Sequence, residues 1–433
     1  MKLERSTPLL VLFGILAALA IWAQNAIIPF TTPRWGLFDY QLDLDVYRAG
    51  ARAVLDGEPL YRVKLLGQMD YTYAPISIPF LIPFAWMSAQ AAHTVWVIGI
   101  FAALYGVIML GFRSLGHRST WRLRGIAASL VIISTLLEPV RSTIWFGQIN
   151  VFLMLLILWD LLRDEKSVLR GAGTGLAAGI KLTPLLFAVY LVAIRQWKAA
   201  ATLAGGFAAT IAVGFAVLPR DSWDYWTGTL FDADRVAAPQ TTGNQSIRGA
   251  LANLGHTDTP STLAWLVLAG LVALLGLGAA VLAHRHGQEL LALSLVGMTS
   301  CAVSPVAWGH HWVWLLPLLI VALHLLLTLP GVLARGLVGA GIVGGFLLAF
   351  PWRRYISHAI WYVNESVPDA QLTGLFMRPR GHWYWCFTVQ PYNLILVAVA
   401  VAVIVVYGLR DRSWRVPGRG RAQPSDDAVG PRR

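Results

Sequence analysis

The chain has 433 residues, 57% hydrophobic and only 13% charged, with a net charge of +12. A soluble domain carries about 25% charged residues, so the composition excludes an ordinary soluble enzyme and describes an all-α polytopic membrane protein. Two cysteines, Cys301 and Cys386, exclude a disulfide framework or a cysteine-rich metal site and leave either one bridge or two buried thiols.

In chain order, Met1 to Pro8 is short and basic and leads into an apolar run without a small-residue cleavage site, which reads as an uncleaved first helix. The first span is expected at 8–28. A long polar segment, 29–90, follows. Within it, Pro75 to Ser88 is apolar but short and holds Pro75, Pro79 and Pro83. A re-entrant or interfacial element fits there, because irregular backbone at membrane depth persists only under a cover of protein or water. Further spans are expected at 91–112, 125–141, 145–163, 168–182, 184–197, 199–218, 261–283, 289–304, 311–329, 336–351 and 388–409. That makes about twelve crossings, each needing roughly 20 apolar residues, with both termini on one side. The reading is one integral membrane domain, 1–409, without internal repeat, and a basic tail, 410–433. The tail is rich in Pro, Gly, Arg and Ser and reads as disordered, held at anionic headgroups.

Charge orients this plan. Lys2, Arg5, the Arg113–Arg124 cluster, Arg163, Lys166, Arg170, Arg195, Lys198, Arg285, Arg335 and the tail arginines fall on the side of the termini, and the other side is nearly neutral. The positive-inside rule then puts both termini in the cytoplasm of a plasma membrane protein. The same distribution points to a membrane and not to nucleic acid.

The informative polar motifs gather on or just beneath the outer face: Asp43-x-Asp45-x-Tyr47, Thr72-Tyr73-Ala74-Pro75, Glu138 to Thr143, Phe146 to Asn150, Lys181 to Pro184, Asn244-Gln245-Ser246-x-Arg248, Ser304 to Trp312, and Arg378-x-Arg380-x-His382. Ionisable groups at membrane depth are costly and so suggest function, or else pair with one another as structural glue. Val46 to Leu55 reads as a short helix with Asp45 as N-cap, Gly57 just past its end, and Arg48 and Arg52 on one face. Asp43 lies just ahead, where the helix dipole favours the ionised carboxylate a general base needs; an ordinary loop aspartate is the plain alternative. Nothing around Lys181 solvates an ammonium, which suits either a phosphate or an ion pair with Glu138. Glu138 and Arg141 can themselves pair across one helical turn. The adjacent His310 and His311 point to different sides, and no carboxylate lies within Ser304 to Trp314, so a phosphate or sugar hydroxyl suits them better than a metal. Trp308, Trp312, Trp314 and Trp383 to Trp385 fit an interfacial belt and sugar platforms alike. No glycine-rich nucleotide loop or Walker pattern is present, so a glycosyl donor, if used, is expected to be lipid-linked.

Four blocks in order, Glu138 to Val151, Gly179 to Pro184, Asn244 to Ala250 and Ser304 to Trp314, resemble the actinobacterial polyprenol-phosphate-mannose-dependent α-1,2-mannosyltransferases of glycosyltransferase family 87. The likeness runs from about Asp43 to Trp314; after about Leu329 it is one of hydrophobic pattern alone. The stretch from Asp43 to Ala51, with Leu55 to Tyr61, looks closer to the enzyme that branches lipomannan and lipoarabinomannan than to the one that extends phosphatidylinositol mannosides. Relatives read Thr-Tyr-Pro-Pro where this chain has Thr72-Tyr73-Ala74-Pro75. The resemblance implies a C-type membrane fold with extracytoplasmic loops and short interfacial helices. It also implies a polyprenyl-phosphate mannose donor, a lipid-anchored mannoside acceptor and inversion to an α-1,2 linkage. Asp43 matches the family's base position, and His310 and His311 its histidine pair. Lys181, Arg141 and Arg248 are candidates for the donor phosphate. Asp45, Tyr47, Tyr73, Glu138, Gln148, Asn150, Asn244, Gln245 and Trp308 are candidates for sugar or acceptor. No metal or other cofactor is expected, because a single phosphate leaves. The rivals are transfer of arabinofuranose and, in another class, a flippase of lipid-linked sugars, which ought to show repeated halves. A purely structural subunit would leave Lys181 and the histidines without purpose.

Overall fold

The structure, a computed structural model, describes residues 3–232, 235–355, 370–377 and 385–413. The first apolar run becomes helix α1, Thr7–Ile27, whose start is capped by the Ser6 hydroxyl accepting from the Leu9 N–H at 3.3 Å. Two short outer helices follow, α2 (Leu42–Leu55) and α3 (Ser77–Trp86), then α4 (Ala89–Ser114), α5 (Trp121–Ser134) and α6 (Glu138–Phe146). The middle of the chain forms α7 (Asn150–Leu161), α8 (Ala172–Ile180), α9 (Leu186–Ala193), α10 (Trp197–Val217), α11 (Pro219–Thr227) and α12 (Ile247–Leu254). The last part forms α13 (Thr262–Arg285), α14 (Glu289–Val303), α15 (Leu315–Thr328), α16 (Val332–Ala349), α17 (Trp385–Thr388) and α18 (Pro391–Ser413). One antiparallel strand pair, β1 (Trp352–Tyr355) with β2 (Ala370–Thr373), interrupts the helices.

Each expected span contains a helix, but among the described residues only seven helices are long and apolar enough to cross a membrane, or eight if α5 and α6, bent by 80°, count as one span. Among the shorter ones, α8 and α14 are largely buried, α14 from Leu290 to Ala302, whereas α7 exposes Trp159 and α9 exposes Val189 and Val192. Helix α7 has 12 residues, a rise of about 18 Å against a hydrocarbon core of about 30 Å.

The short helices begin and end at two polar levels. On the side of the N-terminus, His117 after α4 contacts Glu4 at 2.9 Å and His324 of α15 at 3.0 Å. At the far end of α7, Asp160 accepts from the Gly171 and Thr174 amides, while Tyr190 and His284 both reach Glu289. At the opposite level α7 starts at Asn150, α8 stops at Lys181, and Cys301 of α14, a free and buried thiol, donates to the His311 carbonyl at 3.2 Å. This second level is the floor of a cavity. Glycines bring α8 against α10: a side chain at Gly175 or Gly179 of α8 would run into Leu203 or Thr210 of α10, so only glycine lets the two helices lie this close.

Helix α2 differs from its expected form. It starts at Leu42, so Asp43 and Asp45 both lie in its first turn, and its N-cap is Gln41 in a left-handed conformation (φ 39°). The cause is tertiary. The Gln41 N–H donates to the Trp145 carbonyl at 2.9 Å and its side-chain amide to the Ile144 carbonyl at 2.6 Å, so it satisfies the last carbonyls of α6 while it opens α2. Gly147 closes α6 at φ +70°, where an added Cβ would lie 2.6 Å from the Gln41 amide oxygen. The end of α2 is as expected, with Gly57 at φ +78°. Arg48 and Arg52 do share a face, and both donate to the closing carbonyls of α3: Phe84 at 3.0 Å, Met87 at 3.0 Å and Ala85 at 3.2 Å. Helix α3 keeps Phe80 and Trp86 exposed, as an interfacial helix does. Helix α18 continues to Ser413, beyond the expected boundary at 409. The rest of the tail, the Arg378 to His382 motif, Trp383 and Tyr384 lie outside the described residues.

Candidate active site

A cavity of about 970 Å³ opens between the outer helices and the floor. Asp43 stands in its wall. The turn after α6 presents Gln148 to it, and the Gln148 amide donates to Asp43 Oδ2 at 2.5 Å. The oxygen of the same amide accepts from the Tyr47 and Tyr73 hydroxyls, each at 3.2 Å, and from the Asn150 amide at 3.3 Å. The Tyr47 and Tyr73 hydroxyl oxygens also lie 2.9 Å apart. Burial pushes the Asp43 carboxyl up to about 6, against the pull of the Gln148 hydrogen bond and of Lys181. Burial likewise raises the Tyr47 and Tyr73 hydroxyls, which therefore act as neutral donors.

The facing wall is cationic and imidazole. Lys181 donates to Asn150 Oδ1 at 2.9 Å, contacts His311 Nε2 at 3.0 Å, and lies 5.4 Å from the centre of the Tyr73 ring. Its neighbours are thus amide, imidazole and aromatic, not the Glu138 carboxylate. The other ring nitrogen of His311 accepts from the Trp308 N–H at 3.3 Å. His310 lines the cavity, and its Nε2 is buried without a hydrogen-bond partner among the described residues. Arg141 gives one nitrogen to Gln24 of α1 at 2.7 Å and faces the cavity. Glu138 does not pair with Arg141; it accepts from the Tyr392 hydroxyl. Trp308 completes this wall, packed on Gly243, where a Cβ would come within 2.8 Å of the ring. Among the described residues, no three His, Cys, Asp or Glu side chains stand close enough together to hold a metal ion.

Five expected site residues stand away from the cavity wall. Asp45 turns outward, where Arg48 at 2.9 Å and His93 at 3.0 Å share one of its oxygens. Burial opposes the charge of Asp45, but these two partners hold its carboxyl below the usual range. Asn244 spends its side chain on backbone: its amide reaches the carbonyls of Pro239 and Pro305, and its oxygen accepts from the Ser246 and Ala307 amides. Gln245 donates to the Val389 carbonyl at 3.0 Å. Arg248 sits over the Trp265 ring at 5.8 Å. Asn150 lies under the floor and touches the site through Lys181 and Gln148. In a sequence, a polar side chain that satisfies buried backbone looks the same as one that awaits a ligand.

Reading by motif also missed wall residues. Arg235 bonds Asp70 at 3.0 Å, and Lys64 holds the same carboxylate at 2.7 Å. Both Arg235 and Asp70 line the cavity, as do Trp145, Gln371 and Phe376. Asp70 lies two residues before the flagged Thr72-Tyr73, which was the available signal; Arg235, Gln371 and Phe376 carry none.

The model of glycosyltransferase family 87 matches residues 71–305. A Mycobacterium tuberculosis protein named polyprenol-phosphate-mannose-dependent alpha-(1-2)-phosphatidylinositol mannoside mannosyltransferase is 36% identical over 306 residues, 66% of this chain and 72% of that protein. A Mycolicibacterium smegmatis protein of the same name is 33% identical over 86% of this chain and 85% of its own. A second protein of that species, named for phosphatidylinositol pentamannoside, is 34% identical over 84% and 86%. No solved structure matches. Asp43 precedes the family-matched segment and His310 follows it, so the two walls of the cavity come from outside that segment as well as from within.

Proposed function

The chain belongs to glycosyltransferase family 87, and from that premise we propose that it transfers mannose from polyprenyl-phosphate mannose to a phosphatidylinositol mannoside or a related lipid-anchored mannan, forming an α-1,2 linkage. The observation that carries this reading is one cavity with the buried Asp43 carboxylate on one wall and Lys181, His310 and Arg141 on the other. Asp43, with a pKa of about 6, is mostly ionised at neutral pH, as a general base must be. It takes the proton of the acceptor hydroxyl as that oxygen attacks the anomeric carbon. The bond from that carbon to the phosphate oxygen breaks, and its electron pair leaves with the lipid phosphate. A β-linked donor thereby gives an α-linked product.

The departing phosphate needs no acid, only positive charge and donors where its own charge grows. Lys181 and Arg141 supply charge. His310 supplies the N–H, because its Nε2 is without a partner among the described residues while both nitrogens of His311 are engaged. Tyr47, Tyr73, Gln148, Glu138 and Trp308 bind sugar. A divalent metal is not required. Asp45, Asn244, Gln245 and Arg248 shape the site from behind. The charge distribution favours cytoplasmic termini and an outward-facing cavity. With the short helices counted as passes, the chain has about twelve, the C-type arrangement, each pass complete only within its protein surroundings.

The test is transfer by the purified chain in detergent, from radiolabelled polyprenyl-phosphate mannose to a short α-mannoside, in the presence of chelator. Chelator-resistant transfer that Asp43→Asn reduces by about two to four orders of magnitude supports the reading. Transfer from the arabinose donor alone would replace the sugar, and transfer that survives in Asp43→Asn would remove the base.

A further inference from the structure

The last helix, α18, lies outside the family-matched segment and supplies no residue to the reaction as written above. Its first turn nonetheless reaches the cavity wall. The Tyr392 side chain is wholly buried, with its ring 5.6 Å from Trp312 and 5.8 Å from Phe376, and its hydroxyl donates to Glu138 Oε2. We propose that Tyr392 is a positioning residue, which holds the Glu138 carboxylate in the orientation that binds hydroxyls of the transferred sugar; this rests on the transferase reading of the same cavity.

Three observations converge on that assignment. First, Glu138 lines the cavity, yet it makes no ion pair among the described residues, and Arg141 one turn on serves Gln24 instead. A buried carboxylate without a cation is costly unless donors fill its roughly four acceptor sites. Tyr392 fills one of them, and a polyhydroxyl ligand offers several more. Second, the carboxylate is confined. An added Cβ at Gly309 would lie 2.5 and 2.8 Å from its two oxygens, so glycine is what allows Glu138 to rest beside His310. Third, the start of α18 is itself fixed. Gln390 donates to the Asn244 carbonyl and Asn393 to the Gln245 carbonyl, each at 3.0 Å, and Gln245 returns a bond to Val389 at 3.0 Å. The Asn244-Gln245 block, which reads in the sequence as sugar-binding, thus acts as the clamp that sets the height of Tyr392.

The test uses the full chain and four proteins: wild type, Tyr392→Phe, Glu138→Ala and the double variant. Phenylalanine keeps the packed ring and removes only the hydroxyl. Loss of one hydrogen bond to a buried carboxyl group is expected to lower kcat/KM for the donor roughly ten- to hundredfold, with the thermal midpoint close to that of wild type. If Tyr392 acts through Glu138, the double variant is no slower than Glu138→Ala. Multiplying losses, or a Tyr392→Phe rate within twofold of wild type, would overturn the proposal. An infrared band for the Glu138 carboxylate, identified by its absence in Glu138→Ala, needs no substrate. It should shift in Tyr392→Phe, and an unmoved band would sink the pairing. A wild-type chain that moves neither mannose nor arabinose fails the functional reading separately, and the band still decides for or against the Tyr392–Glu138 pair.

Discussion

The Gln148 side-chain amide donates to the Asp43 carboxylate at 2.5 Å, across 105 positions of sequence. That one bond joins the outer helix α2 to the turn after α6. Through the Gln148 oxygen and Asn150 it continues to Lys181 on the far wall. Asp43, Gln148, Asn150 and Lys181 are thereby one connected set of groups.

The bond also opposes the burial that pushes the Asp43 carboxyl up to about 6. With Asp43 as the proposed base, transfer should rise with pH through about 6 and fade below it, where that carboxyl is protonated. Gln148 holds that value down, so Gln148→Leu should move the acidic limb to higher pH. A pH–rate profile of the purified chain checks both. An acidic limb that stays put in Gln148→Leu would separate Asp43 from the rate.

Asp43 and Asp45 lie one residue apart on α2 but should behave differently. Asp45→Asn removes an ion pair that water reaches, a cost of about 0.2–1 kcal/mol, and should leave the donor and acceptor KM values within a few-fold of wild type. Arg48→Ala should destabilise the chain more, by about 2 kcal/mol, because it strips buried bonds from the end of α3. Thermal unfolding and steady-state rates on the two variants separate these outcomes. A large KM change in Asp45→Asn would return that residue to the sugar site.

Lys181 should matter through its charge and its aim. Lys181→Met removes a cation from the phosphate wall and should lower kcat by about two to three orders of magnitude. Asn150→Ala keeps the charge but removes its 2.9 Å anchor, and should cause a smaller loss of the same kind. Single-turnover rates at saturating donor measure the step directly. Equal rates in wild type and Asn150→Ala would mean that Lys181 needs no aiming.

Gly309→Ala puts a methyl group against the Glu138 carboxylate. The expected result is a folded chain whose donor KM rises by roughly tenfold. Tritiated or radiolabelled donor titrations give that value, and an unaltered KM would show that Glu138 binds no sugar.

Much of the scaffold was legible. Spans at 8–28, 91–112, 199–218 and 261–283 appear within a few residues as α1, α4, α10 and α13, because lipid-facing helices must be apolar along their whole length. The short helices were harder to measure. Residues 145–163 read as one span, yet the helix begins only at Asn150, because Trp145 and Phe146 belong to the end of α6, which Gln41 caps from another part of the chain.

The candidate site was legible in kind and only partly in membership. Asp43, Lys181, Gln148 and His310 stood out because polar groups amid apolar neighbours need a reason. Asn244 and Gln245 stood out equally and face backbone, while Arg235 and Tyr392 line or support the cavity and did not stand out. By itself the sequence determined that the chain is built of apolar helices, how charge is distributed along it, and which polar groups lie among apolar neighbours. Those follow from transfer energies that each residue carries wherever it sits. Only the tertiary structure decided which groups share the cavity. A side chain's direction and depth are set by how closely helices far apart in sequence approach, and that depends on packing at positions such as Gly175 and Gly309, where the sequence shows nothing but a glycine.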